Sequence, residues 1–376
     1  MSKKIWLSAP HMGGEEIKFV TTAFETNWIA PLGPNVNGFE NDLVSYTHRK
    51  HAAALTSGTA AIHLGLTLVG VSQGDYVLCQ SFTFCGSANP IKYLGAKPVF
   101  IDSEMETWNM DPVLLEKAIV DLAKKNIKPK AMIPVHLYGM PAKIQQIEAI
   151  SAKYEIPIIE DAAEALGSTY KGKNCGNFGD LSVLSFNGNK IITTSGGGAL
   201  LGNNAKVIEK ARFLATQARD NAPHYEHSEI GYNYRLSNIS AGIGRGQMIV
   251  LDERVAQRRA IYKRYERELE HIEAFTFLDE PSETFSNRWL SAILVNPSNS
   301  KGLDREAIRL KLETLNIESR PLWKPMHMQP VFKNELVYTN GVSELLFANG
   351  LCLPSASNMS EEDQTLVIDT IKGMFA

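Results

Sequence analysis

Short, unbroken apolar runs recur along the first half of the chain, at Ala52–Leu55, Tyr76–Cys79, Val99–Ile101, Met132–Val135 and Ile156–Ile159. Each is too short for a buried helix and is bounded by polar or turn-forming residues, as expected of a strand covered on both faces. Helical stretches lie around and between them: Glu15 to about Thr26, Phe39–Thr47, and a helix that begins near Ala60 and passes through Ile62, Leu64 and Leu66. Strands alternating with helices predict an α/β fold with a mostly parallel central sheet. Beyond residue 250 the pattern changes. Leu251–Glu270 is dense in Arg, Glu and Lys, with Val255, Ile261, Tyr265 and Leu269 at helical spacing, which predicts a long linking helix with a solvated charged face. Strand-like segments near Phe275–Leu278 and Trp289–Val295 and a helix from about Asp304 to Leu315 complete a small α+β unit. The expected division is a large domain, residues 1–250, and a small C-terminal domain, residues 251–376.

Composition narrows the partners. Lys and Arg together number 38 against 41 Asp and Glu, a formal charge of −3, and the basic residues are spread rather than blocked, so nucleic acid is not an expected partner. Cys79, Cys85, Cys175 and Cys352 show no CxxC spacing and the histidines no HExxH pair, so neither disulfides nor a metal are expected. The segment Met1-Ser2-Lys3-Lys4-Ile5-Trp6 lacks the apolar stretch of a signal peptide, and no apolar run approaches membrane-spanning length. A cytoplasmic protein without a membrane partner is expected.

In sheets of this kind ligands gather outside the carboxyl ends of the strands, so the residues just past those ends carry the chemistry. They are Phe82, Thr83 and Phe84, then Asp102, His136, and the cluster Glu160, Asp161 and Glu164. Asp161 follows an apolar strand and precedes Ala162-Ala163, so its carboxylate either meets a cation at low dielectric or caps a helix. Thr56-Ser57-Gly58-Thr59 turns a strand into a helix. Small residues there let backbone N–H groups approach an anion, although the same residues also cap helices that bind nothing. No GxxxxGK[ST] is present, so a nucleoside triphosphate is not indicated. Trp28, in the Pro- and Gly-rich loop Asn27–Asn35, is either a packing anchor or a ligand contact. Lys190 stands in Ser185-Phe186-Asn187-Gly188-Asn189-Lys190 with no carboxylate adjacent in the chain. It is either a lysine snorkelling at a strand end or an amine whose charge burial disfavours, suited to attack on a carbonyl. Gly196-Gly197-Gly198 reads either as a flat strand beside a ligand or as tight strand packing, and packing is the favoured reading, since no phosphate-type helix follows directly.

A phosphate cup, a buried carboxylate, an aromatic and a nucleophilic lysine are together what pyridoxal phosphate requires. The segments Ser57-Gly58-Thr59-Ala60-Ala61, Glu160–Ala165, Ser185–Lys190, Gly231-Tyr232-Asn233-Tyr234-Arg235 and Pro325-Met326-His327-Met328-Gln329-Pro330 resemble, in order and along nearly the whole chain, the DegT/DnrJ/EryC1/StrS family of sugar-nucleotide aminotransferases. The resemblance implies a fold-type I (aspartate aminotransferase-like) large domain binding pyridoxal 5'-phosphate. In it Lys190 would be the Schiff-base lysine, Asp161 the partner of the pyridine nitrogen and Phe84 the aromatic on the ring face. Thr59, Ala60 and Ser185 would hold the phosphate, and Glu164 would lie near the cofactor ring, where many relatives carry Gln or His. Asn233 would reach the cofactor phosphate of a neighbouring subunit, which implies a homodimer with shared active sites.

Three further stretches, Ser8–Gly14, Thr26–Pro34 and Ser319–His327, are similar to the branch of that family serving pilin glycosylation and exopolysaccharide synthesis. That likeness implies a substrate, UDP-linked 4-keto-6-deoxy-N-acetylglucosamine, aminated at C4 with L-glutamate as donor. The product would be the bacillosamine precursor. Trp28, Arg320 and His327 would contact the sugar nucleotide. Another nucleotide-linked keto sugar, 3-keto or dTDP-linked, and a sugar dehydratase on the same scaffold are the alternatives.

Overall fold

The computed structural model describes residues 3–375. The five apolar runs become β1 (His51–Leu55), β2 (Tyr76–Gln80), β3 (Lys97–Ile101), β4 (Ala131–Ile133) and β5 (Ile159–Asp161). Two of them shift from the expected bounds: β4 stops before Val135 and β5 starts after Ile156. Pro134 and Pro157 lie at these places, and neither has an N–H to give a ladder. The helix expected from Phe39 begins at Pro34, so Pro34 and Asn35 belong to it rather than to the preceding loop. Proline's fixed φ suits a first helical position.

A short hairpin of β6 (Thr169–Tyr170) and β7 (Lys173–Asn174) precedes β8 (Leu181–Ser185) and β9 (Gly198–Gly202). Further on come β10 (Phe275–Phe277), β11 (Thr284–Phe285), β12 (Ser291–Val295), β13 (Arg320–Pro321), β14 (Leu336–Tyr338) and β15 (Gly350–Leu353). The ladders β1-β9-β8-β5 and β14-β3-β2-β4 are joined edge to edge by the parallel bridges Met132–Ile158 and Val135–Asp161. The joined sheet runs parallel except at β9, which is antiparallel to both β1 and β8. Alternate residues enter cores on opposite faces: Ala52 and Ala54 with Leu78 and Val99 on one, Ala53 and Leu55 with Val77, Cys79 and Phe100 on the other. Covering on both faces is why these strands read as continuous apolar runs.

The predicted linking helix spans Leu251–Leu269. It packs against a second sheet, ordered β10-β12-β15-β13, around a core that includes Tyr265, Ile293, Ile308, Leu312 and Ile368. Two segments cross between the halves of the chain: Ile5 bridges Ile317 and enters this core, while β14 adds to the edge of the large sheet beside β3. A further apolar cluster, with Phe82, Tyr138, Trp289 and Leu322, draws on both halves. It lies against the open ends of β2, β4 and β5, where the candidate site is found. No helix among the described residues is long and apolar enough to cross a membrane.

Candidate active site

One cavity gathers Ser57, Gly58, Thr59, Phe84, Ser87, Asp161, Glu164, Ser185 and Lys190 at the carboxyl ends of β1, β2, β5 and β8. Its floor is the turn into the helix Gly58–Leu68. Ser57 caps that helix, its Oγ accepting the Ala60 N–H at 3.0 Å, and its carbonyl accepts the Ala61 N–H. The first N–H groups of a helix have no partner within it, which leaves those of Gly58 and Thr59 at the cavity. A Cβ on Gly58 would come within 3.2 Å of the Ser185 Cβ, and one on Gly198 would land on the Ser57 carbonyl carbon and the Gly58 nitrogen. The backbone is therefore packed so closely at Gly198 that only glycine fits, against a turn of the kind that receives a phosphate at a helix N-terminus.

Asp161 ends β5, paired with Val183 of the neighbouring β8, so the next turn of chain brings Lys190 to the same cavity. Its Oδ2 accepts a 2.6 Å hydrogen bond from the Ser87 hydroxyl, and Oδ1 accepts the Ala163 N–H at 3.1 Å. Burial holds the Asp161 carboxyl above its ordinary range, opposed by those two hydrogen bonds and by the charges of Lys190 and His136. Glu164 is displaced in the same direction, again by burial, with Lys190 and the Tyr138 N–H opposing.

The ammonium of Lys190 does have a carboxylate partner, through space: Glu164 Oε1 at 3.4 Å. It also lies 4.1 Å from the centroid of the Trp289 ring. Neighbouring residues along the chain concealed both contacts. Phe84 stands half exposed at the mouth, its ring 5.5 Å from that of Trp323.

Several expected residues lie elsewhere. Ala60 does not border the cavity, and its N–H is already taken by Ser57. Trp28 is on an exposed loop whose carbonyl is held by Asn238. Arg320 pairs with Glu318 beside a separate groove, with Lys4 and Arg309. His327 is engaged by Ser81 at 2.7 Å and Glu344 at 3.1 Å, which anchors its loop rather than aiming it at the cavity. Asn233, expected to serve a neighbouring subunit rather than its own, is exposed, bridged to Thr216, and does not border this chain's own cavity. Among the other strand-end residues, Asp102 accepts the N–H groups of Asn340, Gly341 and Ser343. His136, whose Nδ1 accepts the Ala142 N–H, donates from Nε2 to Glu160 at 2.9 Å in a buried cluster with Cys175, whose thiol also meets the imidazole. Glu160 further accepts the Gly176 and Phe178 N–H groups, so this trio braces the loop after β7.

Ser87, Trp289 and Trp323 also line the cavity without having been expected there, and so do Gly196 and Gly197, for which packing was preferred over a strand beside the ligand. Ser87 was within reach of the strand-end rule, since it closes the turn that Phe84 opens. The tryptophans had no local signal.

A lysine, a buried carboxylate and a helix N-terminus around one cavity are the parts that a pyridoxal phosphate enzyme needs, and these residues fit the group. The family described as "DegT/DnrJ/EryC1/StrS aminotransferase family" matches residues 10–372, and the chain belongs to it. It is 53% identical to the "Putative pyridoxal phosphate-dependent aminotransferase EpsN" of Bacillus subtilis (strain 168), over 100% of this chain and 97% of that protein. It is 34% identical to the "GDP-perosamine synthase" of Escherichia coli O157:H7, over 100% and 99% of the two chains. The pyridoxal phosphate form of the putative sugar aminotransferase Spr1654 from Streptococcus pneumoniae superposes with a TM-score of 0.89 at 27% identity, covering 99% of this chain and 98% of that one. The protein is thus a pyridoxal phosphate-dependent sugar aminotransferase of fold-type I.

Proposed function

We propose that the protein transfers an amino group from L-glutamate to C4 of UDP-4-keto-6-deoxy-N-acetylglucosamine, giving UDP-4-amino-4,6-dideoxy-N-acetylglucosamine for surface glycan or glycoprotein synthesis in the cytoplasm. The observation that carries the chemistry is the convergence of Lys190, Asp161, Thr59 and Ser185 on one cavity. The stretches Ser8–Gly14, Thr26–Pro34 and Ser319–His327 support the choice of sugar.

Pyridoxal phosphate, when bound, supplies a ring that accepts electrons from a carbon being deprotonated. Gly58, Thr59 and Ser185 would hold its phosphate, Asp161 would serve its ring nitrogen as a carboxylate, and Phe84 would cover the ring. Ser87 keeps Asp161 aimed and hydrogen-bonded. The Lys190 Nζ removes the proton from Cα of glutamate in one half of the cycle and delivers a proton to C4 of the sugar in the other. Trp289 and Trp323 wall off water on the side of the C-terminal half. Asn233 completes the cavity of a second copy, so the working unit is a homodimer. The same reading divides the chain into residues 1–250 and 251–376, with the cavity walled by both.

Incubation of the purified protein with this UDP-sugar and glutamate is expected to release one 2-oxoglutarate per amino sugar formed. No turnover with it, but turnover with another nucleotide-linked keto sugar, would refute the substrate and keep the class. A GDP-linked keto sugar is the second reading, favoured by the relative named as a GDP-perosamine synthase. Formation of a deoxy sugar without amine transfer would instead identify a dehydratase.

A further inference from the structure

The two buried carboxylates of the cavity have different partners. Asp161 is satisfied by Ser87 and Ala163. Glu164 offers Oε2 to the Tyr138 N–H at 2.7 Å and turns Oε1 to Lys190. The side chains of Lys190 and Glu164 are 11% and 3% exposed, so water does little to screen the pair.

Trp289 closes the other side of the same ammonium, and it is held there from several directions. Its indole N–H donates to the carbonyl of Asn189, the residue that precedes the lysine, at 2.7 Å. Its backbone N–H donates to Asn287 Oδ1 at 2.9 Å, and the Asn287 amide in turn donates to the carbonyl of Glu164 at 3.0 Å. One short segment, Asn287–Trp289, therefore ties the lysine's loop to the loop that carries Glu164. A tryptophan face is the strongest aromatic partner for a cation, and the contact strengthens when water is excluded. Both contacts serve a free ammonium better than a lysine that is bonded to a cofactor. That bond leaves the nitrogen with at most one N–H, where the free ammonium has three.

We propose that Glu164 and Trp289 are positioning residues that form a holding site for the free ammonium of Lys190, occupied whenever the lysine is not bonded to the cofactor. This rests on the reading of Lys190 as the cofactor-bearing residue. The holding site favours every state in which the lysine is released, and so favours bound pyridoxamine phosphate, which cannot bond to Lys190, over bound pyridoxal phosphate, which can.

The test is competition between pyridoxal phosphate and pyridoxamine phosphate for the full chain stripped of cofactor, read from visible absorbance. Loss of an opposite charge at this range is worth about tenfold or more in an equilibrium that involves the ammonium. Glu164→Gln is expected to shift the preference toward pyridoxal phosphate by about that factor. Trp289→Phe, which keeps a weaker aromatic face, is expected to shift it the same way by about two- to fivefold. A merely structural role would weaken both forms alike and leave their ratio unmoved. A ratio unchanged within about twofold in both variants overturns the proposal. A shift in Glu164→Gln alone overturns the part given to Trp289, and if Glu164→Gln fails to fold, Trp289→Phe decides. In Lys190→Ala the preference for pyridoxal phosphate should collapse. If it matches the native chain instead, Lys190 does not carry the cofactor, and both that reading and this one fail.

Discussion

The Ser87 hydroxyl donates a 2.6 Å hydrogen bond to Oδ2 of Asp161, at the buried end of β5 and across 74 positions of chain. Ser87 and Asp161 are both buried, so solvent screens the bond little. Removing a donor from a buried charged acceptor costs about 1.5–3 kcal/mol. Ser87→Ala is therefore expected to weaken pyridoxal phosphate binding and to lower kcat/KM by about tenfold or more, since each 1.4 kcal/mol is a factor of ten. Ser87→Thr, if its hydroxyl reaches the carboxylate, should recover part of the loss. Steady-state kinetics and cofactor titration of the two variants check this, and an unchanged kcat/KM in Ser87→Ala would remove Ser87 from the site.

Lys190 carries the most direct expectation. A general base or acid at the reacting carbon contributes about 10²–10⁴-fold, and a covalent role adds to that. Lys190→Ala should lose at least that much of kcat, along with the visible absorbance of the lysine-bound cofactor. Lys190→Arg keeps the charge beside Glu164 and Trp289 but should also lose the absorbance, because a guanidinium stays protonated and does not attack a carbonyl. Absorbance spectra of the purified variants settle the matter, and a visible band that persists in Lys190→Ala would point to another lysine.

What was legible in the chain is what local pattern can encode. Asp161 stood out because a carboxylate at the end of an apolar strand needs an explanation. The Ser57–Thr59 turn stood out because small residues between strand and helix leave N–H groups open. The joining of β4 to β5 was not legible, since Pro134 and Pro157 blur both strand bounds while the bridges Met132–Ile158 and Val135–Asp161 still form. Trp289 reaches the cavity only through β12, whose register on β15 is set by pairs such as Ser291 with Leu353. No spacing near Lys190 foretells a ring contributed by a residue 99 positions away, so the wall from the C-terminal half was invisible. His327 was drawn in by its motif, yet its two ring nitrogens are taken by Ser81 and Glu344.

The approach of β9 to the Ser57–Thr59 turn gives a steric prediction. Gly198 opens β9, paired with Leu55 on one side and Ser185 on the other, and a methyl group there would overlap the Ser57 and Gly58 backbone. Backbone, unlike a flexible side chain, cannot move aside without opening the ladder. Overpacking of this kind costs about 1–3 kcal/mol and sometimes more. Gly198→Ala should lower the melting temperature and also weaken pyridoxal phosphate binding, because the displaced turn is the one that carries Gly58 and Thr59. Gly188→Ala makes a fair control, since a Cβ at Gly188 meets nothing within 4 Å. Thermal melts with and without cofactor separate the two effects: equal melting temperatures for Gly198→Ala and Gly188→Ala would contradict the close approach.

Asp161 gives the clearest pH dependence. Burial raises its folded-state pKa above the unfolded value, so the folded apoprotein binds more protons than the unfolded chain once pH exceeds the ordinary carboxylate range. With more protons bound in the folded state, stability falls as pH rises through that window, and the deficit persists at neutral pH. Glu164, raised for the same reason, acts in the same direction. Asp161→Asn removes the titration while keeping an acceptor for the Ser87 hydroxyl, so the apoprotein should melt higher at pH 7. The gain should shrink as pH is lowered toward the ordinary carboxylate range, as the native carboxyl takes up its proton. If Asp161 serves the ring nitrogen as proposed, the order should reverse in the presence of pyridoxal phosphate, because an amide cannot keep that nitrogen charged, and kcat should fall steeply. Melting curves of both proteins, with and without cofactor from pH 4 to 8, test the argument; an apoprotein that Asp161→Asn destabilises at pH 7 would show that the carboxylate is held mainly for the fold.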